Sequence, residues 1–239
     1  MTARRQVKNR QASGLIVGVI TSLADLRFAV QMRRPPDLFE LRLDHLIRVI
    51  DAVESKLSML RAPIIITARD PHEGGANNLA LKRRRELLQR FLPLSDYVDV
   101  ELRNARDFRD LLDLARRKNI PRIISFHDFR STPDLRSLRA KKRAAKRSGA
   151  DIFKVATRTE TAADLASLLQ FVANKDACRA VASRRRVDLA VSAMGIGKLG
   201  AISRVVLARC GSALNYASLG RPQIEGQLSI PQLRSVLAR

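Results

Sequence analysis

The chain has no tryptophan, two tyrosines and two cysteines, and its 23 acidic residues are outnumbered by 45 lysines and arginines. Each shortage excludes something. Cys178 and Cys210 stand alone, without Cys-x-x-Cys spacing or any metal-ligand pattern, which fits a reducing cytoplasm. No apolar run approaches the roughly 18 residues that a membrane span needs. The opening segment MTARRQVKNRQASG lacks the apolar core and cleavage site of a signal peptide, so residues 1–14 are expected to form a basic, loosely held tail. The scarcity of aromatics also bears on the net charge of +22. The basic runs LKRRREL (81–87), RAKKRAAKRSGA (139–150) and ASRRRVD (182–188) lie in or beside helical patterns with almost no aromatic interleaving. They read as a solvated outer face, a polyanion-binding surface being the alternative. On either reading an anionic substrate would be drawn in.

What the chain does have is enough length and apolar content for one sizeable core, at 239 residues and 46% hydrophobic. Strand-like apolar runs recur at 15–21, 38–44, 63–69, 96–102, 122–127, 151–156, 187–192 and 213–217, each followed by a helical pattern. Several helix ends carry recognisable chemistry. Thr132-Pro133 offers an N-cap and a first-turn proline, with Gly149 as the stop. Thr161 with Asp164, and Asn104 with Asp107, suggest capping boxes. Eight βα units without a linker predict a single (β/α)8 TIM barrel over residues 15–239, its chemistry at the C-terminal strand ends. A doubly wound open sheet is the alternative, but GVITSLADL supplies no glycine-rich phosphate loop after the first strand.

The polar residues inside these strands point to a site. In FELRLDH, Glu40, Arg42 and Asp44 share one face while Phe39, Leu41 and Leu43 share the other, and Asp99 and Glu101 repeat the pattern in YVDVEL. With the apolar set against the helices, the charged set and Arg69 must point into the barrel, as a compensated network around a polar cavity. Asp44, Asp99 and Glu101 could be an internal salt-bridge layer; Glu40, Arg42 and Arg69 are better placed to touch a ligand. His127 ends the fifth strand, and Lys154 lies in the sixth, in GADIFKVATRT, 27 residues later. Successive strands would set them side by side. A lysine in an apolar strand invites explanation, because burial disfavours its charged form and a neutral amine attacks carbonyls. An imidazole beside it can move protons.

In order along the chain, FELRLDH, IIITARDPHEGG, YVDVEL, IISFHDFRSTP, ADIFKVAT, IGKLGAISR and EGQLS together resemble the type I 3-dehydroquinate dehydratases of the shikimate pathway, from about residue 15 to the end. The resemblance implies a lyase that converts 3-dehydroquinate to 3-dehydroshikimate through a Schiff base, without metal or dissociable cofactor. It implies Lys154 as the imine-forming lysine, His127 as the proton-transfer residue and Glu73 as the carboxylate that orients it. Arg204 would clamp the substrate carboxylate, Glu40, Arg42 and Arg69 the ring hydroxyls and carbonyl side. Gln227 would belong to a closing loop, with Gln223 and the aromatic Tyr216 also at the substrate. A cytoplasmic homodimer is implied, and nucleic acid is not the expected partner.

This chain departs from the family pattern at several places. Glu225 stands for a proline in the closing loop, Gln223 for a substrate-contacting serine, and Phe126 for a tyrosine before the histidine. Gly195–Gly197 reads as a short insertion, and the basic start is shorter than usual. A Schiff-base aldolase on the same fold would explain Lys154 but not the EGG, histidine and EGQ pieces together. A basic nucleic-acid-binding protein would explain the charge alone.

Overall fold

The computed structural model describes residues 14–173 and 189–237. The basic start, except Gly14, and the arginine run at 184–186 lie outside them, as do Cys178 and the first residues of the predicted seventh strand. Eight parallel strands, β1 (Leu15–Ile20), β2 (Leu38–Arg42), β3 (Ile64–Thr67), β4 (Tyr97–Glu101), β5 (Arg122–Asp128), β6 (Ile152–Arg158), β7 (Ala190–Ile196) and β8 (Leu214–Ser218), follow one another around the sheet, with β8 beside β1. Closure between β7 and β8 is made by Ala213 N–H donating to Val191 O at 2.8 Å and Ser192 Oγ–H donating to Leu214 O at 2.6 Å. The architecture is the (β/α)8 barrel.

Among the described residues the helices are α1 (Leu23–Gln31), α2 (Leu43–Leu46), α3 (Ile50–Glu54), α4 (Leu81–Phe91), α5 (Arg109–Arg117), α6 (Leu135–Arg147), α7 (Ala162–Val172), α8 (Gly200–Arg209) and α9 (Ile230–Leu237). The outward strand residues, among them Phe39, Leu41, Val98, Val100 and Phe153, form the main core with helix residues such as Leu88, Leu112 and Leu168. Inside the barrel, Val17, Leu38, Ile65, Ile123 and Leu214 make an apolar floor. Two residues further along the strands, about 6.6 Å towards their C-terminal ends, the inward positions become Glu40, Thr67, Asp99, Ser125 and Lys154, all buried.

Several local expectations change. Asp44 does not extend β2; it sits in α2, fully buried, where it receives Arg42. The N-cap of α6 is Asp134, whose carboxylate accepts Ser137 N–H, because the Thr132 hydroxyl is drawn instead to the Arg158 carbonyl at 2.6 Å. Asn104 caps no helix, since its amide donates to Asp70 and α5 begins without a side-chain cap. Thr161 and Asp164 do form the capping box of α7. Strand β7 runs to Ile196, past its predicted end, and Gly195 lies within it. The Gly195 N–H donates to Ser203 Oγ of α8 at 2.9 Å, and a Cβ there would fall 2.5 Å from that oxygen. The run LKRRREL is not a wholly solvated face: Arg84 is buried.

Candidate active site

The C-terminal strand ends surround a cavity of about 400 Å³. Lys154 enters from β6, with Ser125 of β5 as its register partner, while His127 is opposite Ala156. His127 therefore stands one alternation nearer the mouth, on the same inward face. The Lys154 side chain does not end in apolar surroundings. Its Nζ lies 3.1 Å from Glu40 Oε1, 3.0 Å from Asp99 Oδ2 and 3.9 Å from the centroid of the Tyr216 ring.

Asp99 is shared. Arg69 Nη2 donates to Asp99 Oδ2 at 2.9 Å, while its Nη1 reaches Asp99 Oδ1, Glu101 Oε1 and Ser125 Oγ. Burial alone would raise the Asp99 carboxyl, but Arg69 and then Lys154 hold it well below the usual range. Burial would likewise lower Arg69, and Asp99 and Glu101 outweigh it, so this guanidinium stays charged. Arg84 of α4, read from the sequence only as part of a solvated basic run, completes the network. It donates to Ala68 O, Asp70 Oδ2 and Glu101 Oε2.

Glu73 comes from the short 3₁₀ turn Pro71–Glu73 after β3, whose N-cap Asp70 accepts His72 N–H. The glycine pair behind it is sterically required. Gly74 has φ +82°, and a Cβ on Gly75 would lie 2.1 Å from Arg69 O. This turn directs Glu73 Oε2 to the backbone N–H of His127 at 2.9 Å and to its Nδ1 at 3.0 Å. Burial pushes the Glu73 carboxyl up to about 7. Burial, together with the Arg69 and Lys154 cations, holds the His127 imidazole well below 6.5. The ring is thus neutral at neutral pH. With Nδ1–H donating to Glu73, Nε2 is left as a base.

Arg204 reaches the cavity from α8. It donates from Nη1 to Tyr216 O at 2.9 Å and from Nε to Gly226 O at 3.1 Å. No carboxylate pairs with it among the described residues, and burial lowers it to about 10. The loop after β8 covers one side: Gln223, Ile224, Glu225 and Gln227 all line the cavity. Gln227 Oε1 accepts Gln223 N–H at 2.7 Å. Glu225 turns its carboxylate towards Arg158, 3.9 Å away.

The ten residues given a catalytic or substrate-binding role from the sequence, Glu40, Arg42, Arg69, Glu73, His127, Lys154, Arg204, Tyr216, Gln223 and Gln227, line this one cavity, whereas Asp44, Asp99 and Glu101, read as a possible salt-bridge layer, are not among its lining residues. Arg42 and Arg69 are engaged by protein groups, Arg42 clamped on Asp44 and on Gly74 O. The reading missed His45, Phe129 and Arg158 at the wall. Arg158 could have been found, because the alternation Lys154, Ala156, Arg158 puts it on the cavity face of its strand.

The sequence model of the type I 3-dehydroquinase family matches residues 19–239. The chain is 35% identical over 216 residues to the 3-dehydroquinate dehydratase of Shouchella clausii, covering 85% of this chain and 81% of that protein. It is 32% identical over 207 residues to that of Methanothermobacter thermautotrophicus, covering 84% of each. The crystal structure of 3-dehydroquinate dehydratase from Geobacillus kaustophilus superposes with a TM-score of 0.81 at 30% identity, covering 94% of this chain and 90% of that one. A family model spanning most of the barrel, relatives matched over most of their length and the shared architecture agree: this chain belongs to the type I 3-dehydroquinase family.

Proposed function

We propose that this enzyme dehydrates 3-dehydroquinate to 3-dehydroshikimate, a step of the shikimate pathway, through an imine on Lys154. The observation that carries the reading is a single enclosure. Lys154, the His127–Glu73 pair and Arg204, a buried guanidinium with only carbonyl partners, face one cavity. A cyclic hydroxyketone bearing a carboxylate meets each of these groups with a complementary one.

In this mechanism the Lys154 amine adds to the substrate ketone, and loss of water gives a protonated imine. Glu40 and Asp99, both at Nζ, stabilise that cation. The C–H beside the imine carbon is now acidic because the imine accepts its electron pair. Nε2 of His127 removes this proton, with Glu73 holding the ring by Nδ1. The resulting enamine expels the hydroxyl group on the next carbon, and the imidazolium returns a proton to it, so that a second water leaves. Hydrolysis of the imine consumes one water and frees the enone and Lys154. The net reaction loses one water. Arg204 holds the carboxylate with planar donors throughout.

The test is direct. With 3-dehydroquinate the enzyme should produce the ultraviolet absorbance of a conjugated enone, and borohydride added during turnover should leave a covalent adduct whose mass maps to Lys154. No enone, or an adduct on another lysine, would refute the reading or its residue. Among the described residues no helix is long and apolar enough to cross a membrane. The resemblance extends the proposal to a homodimer in the cytoplasm, checked by sedimentation and cell fractionation.

A further inference from the structure

A second recess lies away from the catalytic mouth and shares no lining residue with it. It has a volume of about 420 Å³ and runs along α5 against the end of α6. Five arginines line it, Arg106, Arg109, Arg116, Arg122 and Arg147, against one acidic residue, Asp113. The sequence positions Arg109, Asp113 and Arg116 follow the i, i+4, i+7 spacing of one helix face, and Arg106 precedes them by three residues. Arg147 ends α6, and Arg122 opens β5, five residues before His127.

The charges here are poorly compensated. Asp151 fixes Arg122 through contacts of 3.0 and 3.3 Å, and Asp113 approaches Arg116 at 3.7 Å. Arg106, Arg109 and Arg147 form no ion pair with any described residue. Clustered like charges around a recess repel one another and concentrate anions. Planar guanidinium forks match phosphate oxygens in pairs.

Shape and composition narrow the ligand. Arg109 to Arg116 span roughly 10 Å of helical rise, with Arg106 in the turn before them, long enough for a few phosphate groups in a row. No aromatic side chain lines the recess among the described residues, whereas single-stranded nucleic acid is ordinarily held by base stacking on such rings. Duplex DNA is read by elements that protrude into its grooves, and a recess offers none. We infer that the groove between α5 and α6 is a binding site for a linear, base-free phosphate chain. None of the residues assigned to dehydration takes part in it, and it gives a role to part of the excess positive charge.

Affinities for tripolyphosphate and long-chain inorganic polyphosphate should be measured by calorimetry at fixed ionic strength. Single-stranded and duplex oligonucleotides of matched phosphate number serve as competitors. The double substitution Arg109→Gln and Arg147→Gln should weaken polyphosphate binding at least about tenfold. Arg27→Gln with Arg48→Gln, an equal loss of charge at exposed positions on other elements, should cost less than about threefold. Both variants should retain kcat/KM. Equal losses in the two variants, absence of binding, or oligonucleotides binding as tightly as polyphosphate would overturn the site. Should the groove variant fold poorly, phenylglyoxal modification of the unaltered enzyme decides. Polyphosphate should protect Arg109 and Arg147 but not Arg27 and Arg48, and uniform protection would refute the proposal.

Discussion

Oε2 of Glu73 accepts both the backbone N–H and the Nδ1–H of His127, at 2.9 and 3.0 Å. One oxygen thereby fixes the position of the residue and the tautomer of its ring. The arrangement depends on the Glu73 charge, and burial has pushed that carboxyl up to about 7. As pH falls through this value, Glu73 takes up a proton and Nδ1–H loses its anionic partner. The imidazole, held well below 6.5, stays neutral meanwhile. The kcat/KM profile, which reports the free enzyme, should therefore show an acid limb near pH 7 belonging to Glu73. In Glu73→Gln, kcat should fall about 10- to 100-fold and this limb should vanish. An unchanged limb in the variant would assign the titration elsewhere.

The same carboxyl has a cost in stability. Its folded value, about 7, lies above its ordinary 4.5, so between these pH values the folded state binds the proton that the unfolded chain has released. Stability from this group is fully present below pH 4.5 and lost as pH rises through 7, amounting to about 3 kcal/mol at its limit by linkage. His127, depressed in the folded state, acts in the opposite direction below 6.5. Above pH 7 only the Glu73 penalty remains. Glu73→Gln should then be more stable than the unaltered enzyme at pH 8, by up to that amount, while being far less active. Denaturant unfolding at pH 5 and pH 8 measures the difference, and a variant less stable at pH 8 would contradict it.

Arg204 is a desolvated cation kept without a carboxylate. Replacing it by methionine removes the burial penalty that lowers it to about 10 and also two hydrogen bonds to carbonyls. These effects oppose each other, and unfolding free energy should change by no more than about 1 kcal/mol. If Arg204 holds the substrate carboxylate as proposed, the variant loses two charge-assisted bonds to it, about 2–4 kcal/mol, or roughly 30- to 1000-fold in kcat/KM. A severe loss of stability with a normal KM would make Arg204 a structural residue.

Arg84 tests the wider network. It neutralises Glu101, which shares Arg69 with Asp99, which in turn holds Lys154. Arg84→Met leaves a buried carboxylate underpaired and should cost about 3–5 kcal/mol of stability. Because Arg84 also anchors Asp70, whose turn carries Glu73, kcat should fall more than KM rises. Arg84→Lys should restore part of both. A kcat unaffected in the folded methionine variant would confine Arg84 to stability.

The contrast between Lys154 and Arg84 explains what the sequence could reveal. Strand alternation is strict, so the inverted pattern of FELR declares inward charges without any structure, although it did not show that the strand ends before Asp44. Barrel spacing then brings Lys154 and His127 to neighbouring strands. Arg84 sits in a run of four basic residues, and charge alone does not single it out. Its helical phase does, since Arg84, Leu87, Leu88 and Phe91 share one buried stripe. The expected caps at Thr132 and Asn104 failed because both side chains found tertiary partners, which no local pattern discloses. The apolar setting expected for Lys154 was likewise incomplete: its two carboxylates come from β2 and β4, distant in sequence.

Lys154 and His127 can be separated by the step that the proposed mechanism gives each. Imine formation needs an amine, and no other described lysine lines the cavity. Lys154→Ala should abolish turnover, and borohydride with substrate should leave its mass unchanged. In the proposed mechanism proton transfer follows condensation and uses Nε2 of His127. His127→Ala should lose about 10²-fold or more of kcat, yet borohydride should still fix substrate to Lys154. Glu40 and Asp99 remain in that variant to stabilise the iminium, so the trapped fraction at steady state should exceed that of the unaltered enzyme, in which elimination drains the intermediate. Mass spectrometry of intact protein reads both results. Full activity in Lys154→Ala would end the imine mechanism. Failure of His127→Ala to form any adduct, with its fold intact, would move the histidine's role back to condensation itself.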